Sequence, residues 1–188
     1  MDNRTANGRY HWAMIGLHWL MLVLIGLTYA CMEFRGYFPR GSDGRALLKT
    51  LHFSIGLSML VLVCVRIATR FTTTTPLIVP PLPPYLRLAT WGMHLALYGL
   101  LIAMPLLGWA MLSAQGNVIP FFGINLFPLV GEDHALGDQL KDLHETIGNA
   151  GYFLIGAHAL AALFHHFVRR DNTLVRMLPT AVNAWLPR

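Results

Sequence analysis

An all-α integral membrane protein, a bundle of four transmembrane helices with both termini cytoplasmic, is the fold class this sequence predicts. Three observations predict it. Hydrophobic residues make up 55% of the 188 and charged residues only 12%, about half the charged share of a soluble domain. Four stretches approach or exceed the roughly 20 apolar residues that cross hydrocarbon. The charges between them are sorted, with most arginines on one side of the alternation and most carboxylates on the other. The same numbers exclude disorder, and two cysteines exclude a disulfide scaffold. The 14 basic residues form no stripe or motif, so the partner they imply is a lipid bilayer and not a nucleic acid.

The first span covers about 13–32, 20 residues without Asp, Glu, Lys or Arg. It is too long for a signal-peptide core, and no small-x-small site precedes Glu33, so retention as a helix is expected. The second covers about 51–69, provided that Arg66 snorkels to the interface. The third, about 88–112, should kink at Pro105. The fourth covers about 146–168. Residues 1–188 then form a single transmembrane domain. Pro76, Pro80, Pro81, Pro83 and Pro84 make the link between spans two and three an extended strap. The loop of about 113–143 is long enough to be functional, and its last part, 132–143, reads as a short surface helix. Arg4, Arg9, Arg66, Arg70, Arg87, Arg169, Arg170, Arg176 and Arg188 share the side of the termini with only Asp2 and Asp171. By the positive-inside rule that side is the cytoplasm. Cys31 and Cys64 lie toward opposite faces and are read as bystanders.

Nine histidines, most of them in or beside the spans, are the chemical signal. His144 and His158 are 14 residues apart in span four, which puts them about 21 Å apart on one helix face, about 40° out of line. His18 lies early in span one and His52 at the start of span two, so depth pairs His158 with His18 and His144 with His52. Two pairs from different helices suit two flat b-type haems with bis-histidine iron. Gly56, Gly148 and Gly151 near the ligands make room for a macrocycle, although helix packing uses glycine too. Covalent attachment is excluded because no Cys-x-x-Cys-His occurs. A non-redox metal carrier is the rival reading, and it would want donors clustered at one depth. His94 is expected to hydrogen-bond a neighbouring helix or a propionate. His165, a further seven residues along the ligand face, suits a quinone carbonyl and a proton; an interfacial histidine without a role competes with that reading. His11, His134 and His166 are unassigned.

These stretches resemble the bacterial four-helix, di-haem cytochrome b561 family, and most closely its short members that act as superoxide:ubiquinone oxidoreductases. The resemblance is carried by Gly16-Leu17-His18-Trp19-Leu20, Met32-Glu33-Phe34-Arg35-Gly36-Tyr37-Phe38-Pro39-Arg40, Leu51-His52 and Leu143-His144-Glu145-Thr146. It continues through Gly151-Tyr152-Phe153 and from His158 through His165-His166 to Pro179. It implies residence in the bacterial inner membrane, His18 and His158 on the cytoplasmic-side haem, His52 and His144 on the outer one, and ubiquinone near His165. Superoxide would surrender its electron at the outer haem, steered by Arg35, Arg40 and Lys49, with Arg45 and Lys141 adding charge. For any one of these arginines, plain solvation is the competing reading. A cytochrome b subunit between a partner dehydrogenase or hydrogenase and quinone is the alternative function.

Overall fold

The computed structural model describes residues 8–179, so the expectations placed on Asp2, Arg4 and Arg188 lie outside the described residues. Four long helices dominate: α1 (Trp12–Phe34), α2 (Asp43–Thr72), α3 (Pro84–Ala114) and α4 (His134–Phe164). Each is long and apolar enough to cross a membrane. All four outrun the charge-free stretches, because a helix continues past the hydrocarbon wherever its end is capped. Ser42 accepts from Arg45 N at 3.4 Å to start α2, and Asp133 accepts from Leu136 N at 3.0 Å to start α4. Each such cap stabilises by about 1 kcal/mol. His11, unassigned from sequence, caps α1 through its ring nitrogen. Pro84 opens α3 in the first turn, where a missing N–H costs nothing.

Two expectations are corrected. Residues 132–143 form no separate surface helix, since α4 runs unbroken from His134 into the membrane span. Its first turn lies against the end of α3, where Asp133 N donates to Ala114 O at 2.9 Å and a Cβ on Gly137 would stand 2.7 Å from the Gln115 side chain. Arg66 does not snorkel; it is buried, and its Nη1 donates to Met14 O on α1 at 3.0 Å. Pro105 lies within one continuous α3. The expected loop does hold structure of its own, a hairpin of β1 (Ile119–Phe121) and β2 (Ile124–Leu126) that seats Ile119 against Leu57 and Leu112.

Large apolar side chains such as Val23, Val61, Leu95, Phe153 and Leu160 stay exposed, as a lipid-facing surface requires. The interior is small. Met21, Met59 and Val63 form its centre, joined by Leu24, Tyr98 and Leu101. Backbones pack closely between α1 and α2, α2 and α3, and α3 and α4, whereas neither α1 nor α2 packs closely on α4. A gap therefore runs along α4, bridged by side chains. Tyr29 donates to Gly148 O at 2.8 Å, and Tyr152 donates to Glu33 at 2.7 Å.

Both ends of the described chain meet at one end of the bundle. Tyr10 N donates to Arg176 O at 3.2 Å, and Trp19 Nε1 to Met177 O at 2.8 Å. The proline strap, extended between α2 and α3 as expected, lies across this end. Asn172 ties it down, accepting from Val79 N at 2.9 Å and donating to Leu77 O at 3.2 Å. The hairpin lies at the opposite end.

Candidate functional site

The gap beside α4 holds the paired histidines. His52 on α2 faces His144 on α4 with ring centroids 6.2 Å apart and planes at 70°. Toward the terminal end His18 on α1 faces His158 on α4, again at 6.2 Å and 71°. Rings at this distance neither stack nor hydrogen-bond. Two imidazoles coordinating one metal from opposite sides, each at about 2.0 Å, put their centroids about 6 Å apart. The sequence pairing by depth is thus the pairing in space.

Local structure holds these rings. His52 Nδ1 lies 3.0 Å from Thr28 O; opposite a carbonyl that nitrogen carries the proton, which leaves Nε2 as the metal donor. His144 fits beside α3 because residue 108 is glycine: a Cβ there would stand 3.3 Å from the His144 ring. His144 Nδ1 is buried without a hydrogen-bond partner. Gly151, read from sequence as room for a macrocycle, instead admits Tyr29, whose hydroxyl would collide with a Cβ there. Gly56 does open onto free space. An apolar cavity of about 220 Å³, lined by Leu22, Ile25, Gly26, Tyr29, Tyr152 and Ile155, lies in the gap between the two pairs.

For His94 the structure shows a local bond. Its Nδ1 bonds its own helix at Thr90 O (2.7 Å), not a neighbouring one, and its ring lies 5.8 Å from that of His158. His158 therefore has two imidazole neighbours, of which His18 is the less exposed. Among the described residues no three His, Cys, Asp or Glu side chains gather to hold a metal ion. Pairs suffice only if the metal brings its other ligands with it, as porphyrin iron does, which fits haem and disfavours a bare-metal carrier. Cys31 is buried, Cys64 exposed, and both are free.

The family model for prokaryotic cytochrome b561 matches residues 9–180. The chain belongs to that family. The cytochrome is 42% identical over 171 residues to the cytochrome b561 homolog 1 of Escherichia coli, covering 91% of this chain and 97% of that one. It is 41% identical to the probable superoxide oxidase CybB of Yersinia pestis, over 91% and 96% of the two chains. Identity to the E. coli cytochrome b561 homolog 2 is 29%, over 90% and 91%. The protein is accordingly a multi-pass bacterial inner-membrane oxidoreductase that transfers electrons with b-type haem.

The remaining site residues separate to the two ends of the cytochrome. Arg35 opens the 3-10 turn after α1, Arg40 follows it, and Lys49 projects from the first turns of α2, all at the hairpin end. None of the three pairs with a carboxylate among the described residues. Arg45 differs, because it donates to Arg35 O and Phe38 O and so braces the turn. Lys141 is exposed on α4. At the terminal end His165 is buried, and its Nδ1 lies 2.6 Å from Asp171 Oδ2.

Sequence reading passed over Asp171 as a partner. The available signal was its isolation, as the lone described carboxylate among the arginines of that end. α4 ends in a π-helical turn, His165–Arg169, closed by Arg170 in the left-handed conformation, and this brings residue 171 back onto residue 165. Thr173 N donates to Asp171 Oδ1 at 2.9 Å, and Arg169 Nε lies 3.5 Å from Oδ2. Burial pushes the Asp171 carboxyl up, but the hydrogen bonds from Thr173 and His165 outweigh it and hold the group below the ordinary carboxylate range.

Proposed function

We propose that the cytochrome is a superoxide:ubiquinone oxidoreductase, oxidising superoxide at the hairpin end and reducing ubiquinone at the terminal end. Two superoxide anions would yield two oxygen molecules, and their two electrons with two protons would convert one quinone to quinol. The observation that carries this reading is the Arg35, Arg40 and Lys49 set, free of described carboxylate partners, at the same end of the bundle as the His52–His144 pair. One relative is called a probable superoxide oxidase, which supports it.

His52 with His144 and His18 with His158 would hold two haems. Bound there, b-type haem supplies reversible one-electron transfer. The protein's own work is then positional and electrostatic. α4 carries one ligand of each pair and so sets their separation at about 21 Å along its axis. Arg35, Arg40 and Lys49 raise the local concentration of a small anion. Glu33 and Asp133, carboxylates that would repel it, are engaged by Tyr152 and by the α4 cap. At the other end His165 presents an imidazole and Asp171 fixes its orientation, a pair able to hold a proton for a reduced quinone. The hairpin end faces the periplasm and the arginine-rich terminal end the cytoplasm.

The test is the rate constant for haem reduction by superoxide, compared with an unrelated bis-histidine cytochrome under the same conditions. A rate well above that control, followed by reoxidation with ubiquinone, is expected. His165→Ala should keep the superoxide step and weaken quinone turnover. A rate no faster than the control would leave an electron-transfer subunit serving a partner dehydrogenase or hydrogenase, which co-purification of a soluble redox protein would identify.

A further inference from the structure

Arg66 is a buried charge on a membrane-spanning helix. It is only 9% exposed, on a span whose other buried residues include Met59 and Val63. It is 14 residues from His52, the same interval that separates His144 from His158. Arg66 therefore stands on the His52 face of α2, about 21 Å along its axis, at the end of the bundle that holds the His18–His158 pair. Its hydrogen bond to Met14 O spans to α1 one turn before His18. That contact places the guanidinium one helical turn from His18 along α1. No described carboxylate balances it. Burying such a cation is costly unless something gains from it.

We propose that Arg66 raises the reduction potential of the inner centre relative to the outer one, and so gives electron transfer its inward direction. This rests on the reading that His18 and His158 hold a haem. On reduction the iron centre loses one positive charge, so a fixed cation nearby favours the reduced form. The effect is strong here because a buried charge is poorly screened. Arg35, a cation at the His52 end of the bundle, is half-buried in a largely exposed turn, where solvent screens it. The asymmetry between the two pairs is therefore built into α2.

The test is a spectroscopic redox titration of the purified haem-loaded protein. Arg66→Gln keeps an N–H for Met14 O but removes the charge. It should shift the electron equilibrium between the two centres toward the outer one roughly tenfold, which is 59 mV for one electron, with the outer potential unmoved. Arg66→Lys should stay near wild type. Unchanged potentials in the Gln variant, or equal falls in Gln and Lys, would make Arg66 a mere helix tie and overturn the proposal. Should the Gln variant lose the inner haem, Arg66→His decides. Its inner potential should climb as pH is lowered through about 6.5, more steeply than in wild type, and parallel slopes would overturn the idea. If His158→Ala removes neither haem, the underlying ligand reading fails instead, and the proposal falls with it.

Discussion

The rings of His18, His52, His144 and His158 are held by different means, and single substitutions should separate them. Fully loaded protein should contain about two haems per chain by pyridine haemochrome assay. His52→Ala or His144→Ala should leave about one, with the inner spectrum intact, and His18→Ala or His158→Ala the converse. His94 is the informative control, because its ring lies closer to His158, at 5.8 Å, than that of His18 does, at 6.2 Å. His94→Ala should retain both haems; loss of the inner one would transfer the ligand role from His18 to His94. Gly108 tests the pocket wall. Gly108→Ala asks the His144 ring to give by a few tenths of an ångström, whereas Gly108→Val should shift or abolish the outer haem spectrum alone.

At the scale of the element, the end of α4 decides how the terminal face is built. The π-helical turn and the left-handed Arg170 reverse the chain so that Asp171 reaches His165. Its carboxyl is held below the ordinary range, so the ionised form stabilises the fold above ordinary carboxylate pH and that contribution is lost as pH falls through the lowered value. Asp171→Asn should therefore lower stability by about 1–3 kcal/mol at neutral pH, as a buried charged hydrogen bond would. The deficit should narrow only below about pH 4. Thermal melts of the two proteins across pH check it, and a deficit that persists undiminished in acid would assign the loss to shape instead of charge. At the other end of α4, Gly137→Val would drive a side chain into Gln115 and cost about 1–3 kcal/mol.

On the scale of the whole molecule, the two ends of the bundle are chemically distinct. Reporter fusions in the strap of 76–84 should read cytoplasm, and fusions at Ser42 or Gly131 periplasm; a cytoplasmic signal at Gly131 would reverse the proposed direction of electron flow. Replacing Arg35, Arg40 and Lys49 together by neutral residues should slow haem reduction by superoxide several-fold while leaving haem spectra unchanged. Added salt should slow the wild type and have less effect on the triple variant, because exposed charges are screened within about 10 Å at 0.1 M. Stopped-flow rates against ionic strength measure both.

Four spans, the strap and the two histidine pairs were all legible from sequence, because apolar length and helical repeat are properties of one chain segment at a time. The 14-residue interval in α4 needs only 3.6 residues per turn to place His144 and His158 on one face. What the sequence left open was decided between segments. Whether Arg66 reached the interface or Met14 O depended on where α1 lay. Gly151 proved to accommodate Tyr29, a residue 122 positions away. Asp171 became the partner of His165 only through the π turn. Hydrogen bonds and steric room depend on the placement of a second helix or a reversal of the chain, and no local periodicity encodes either.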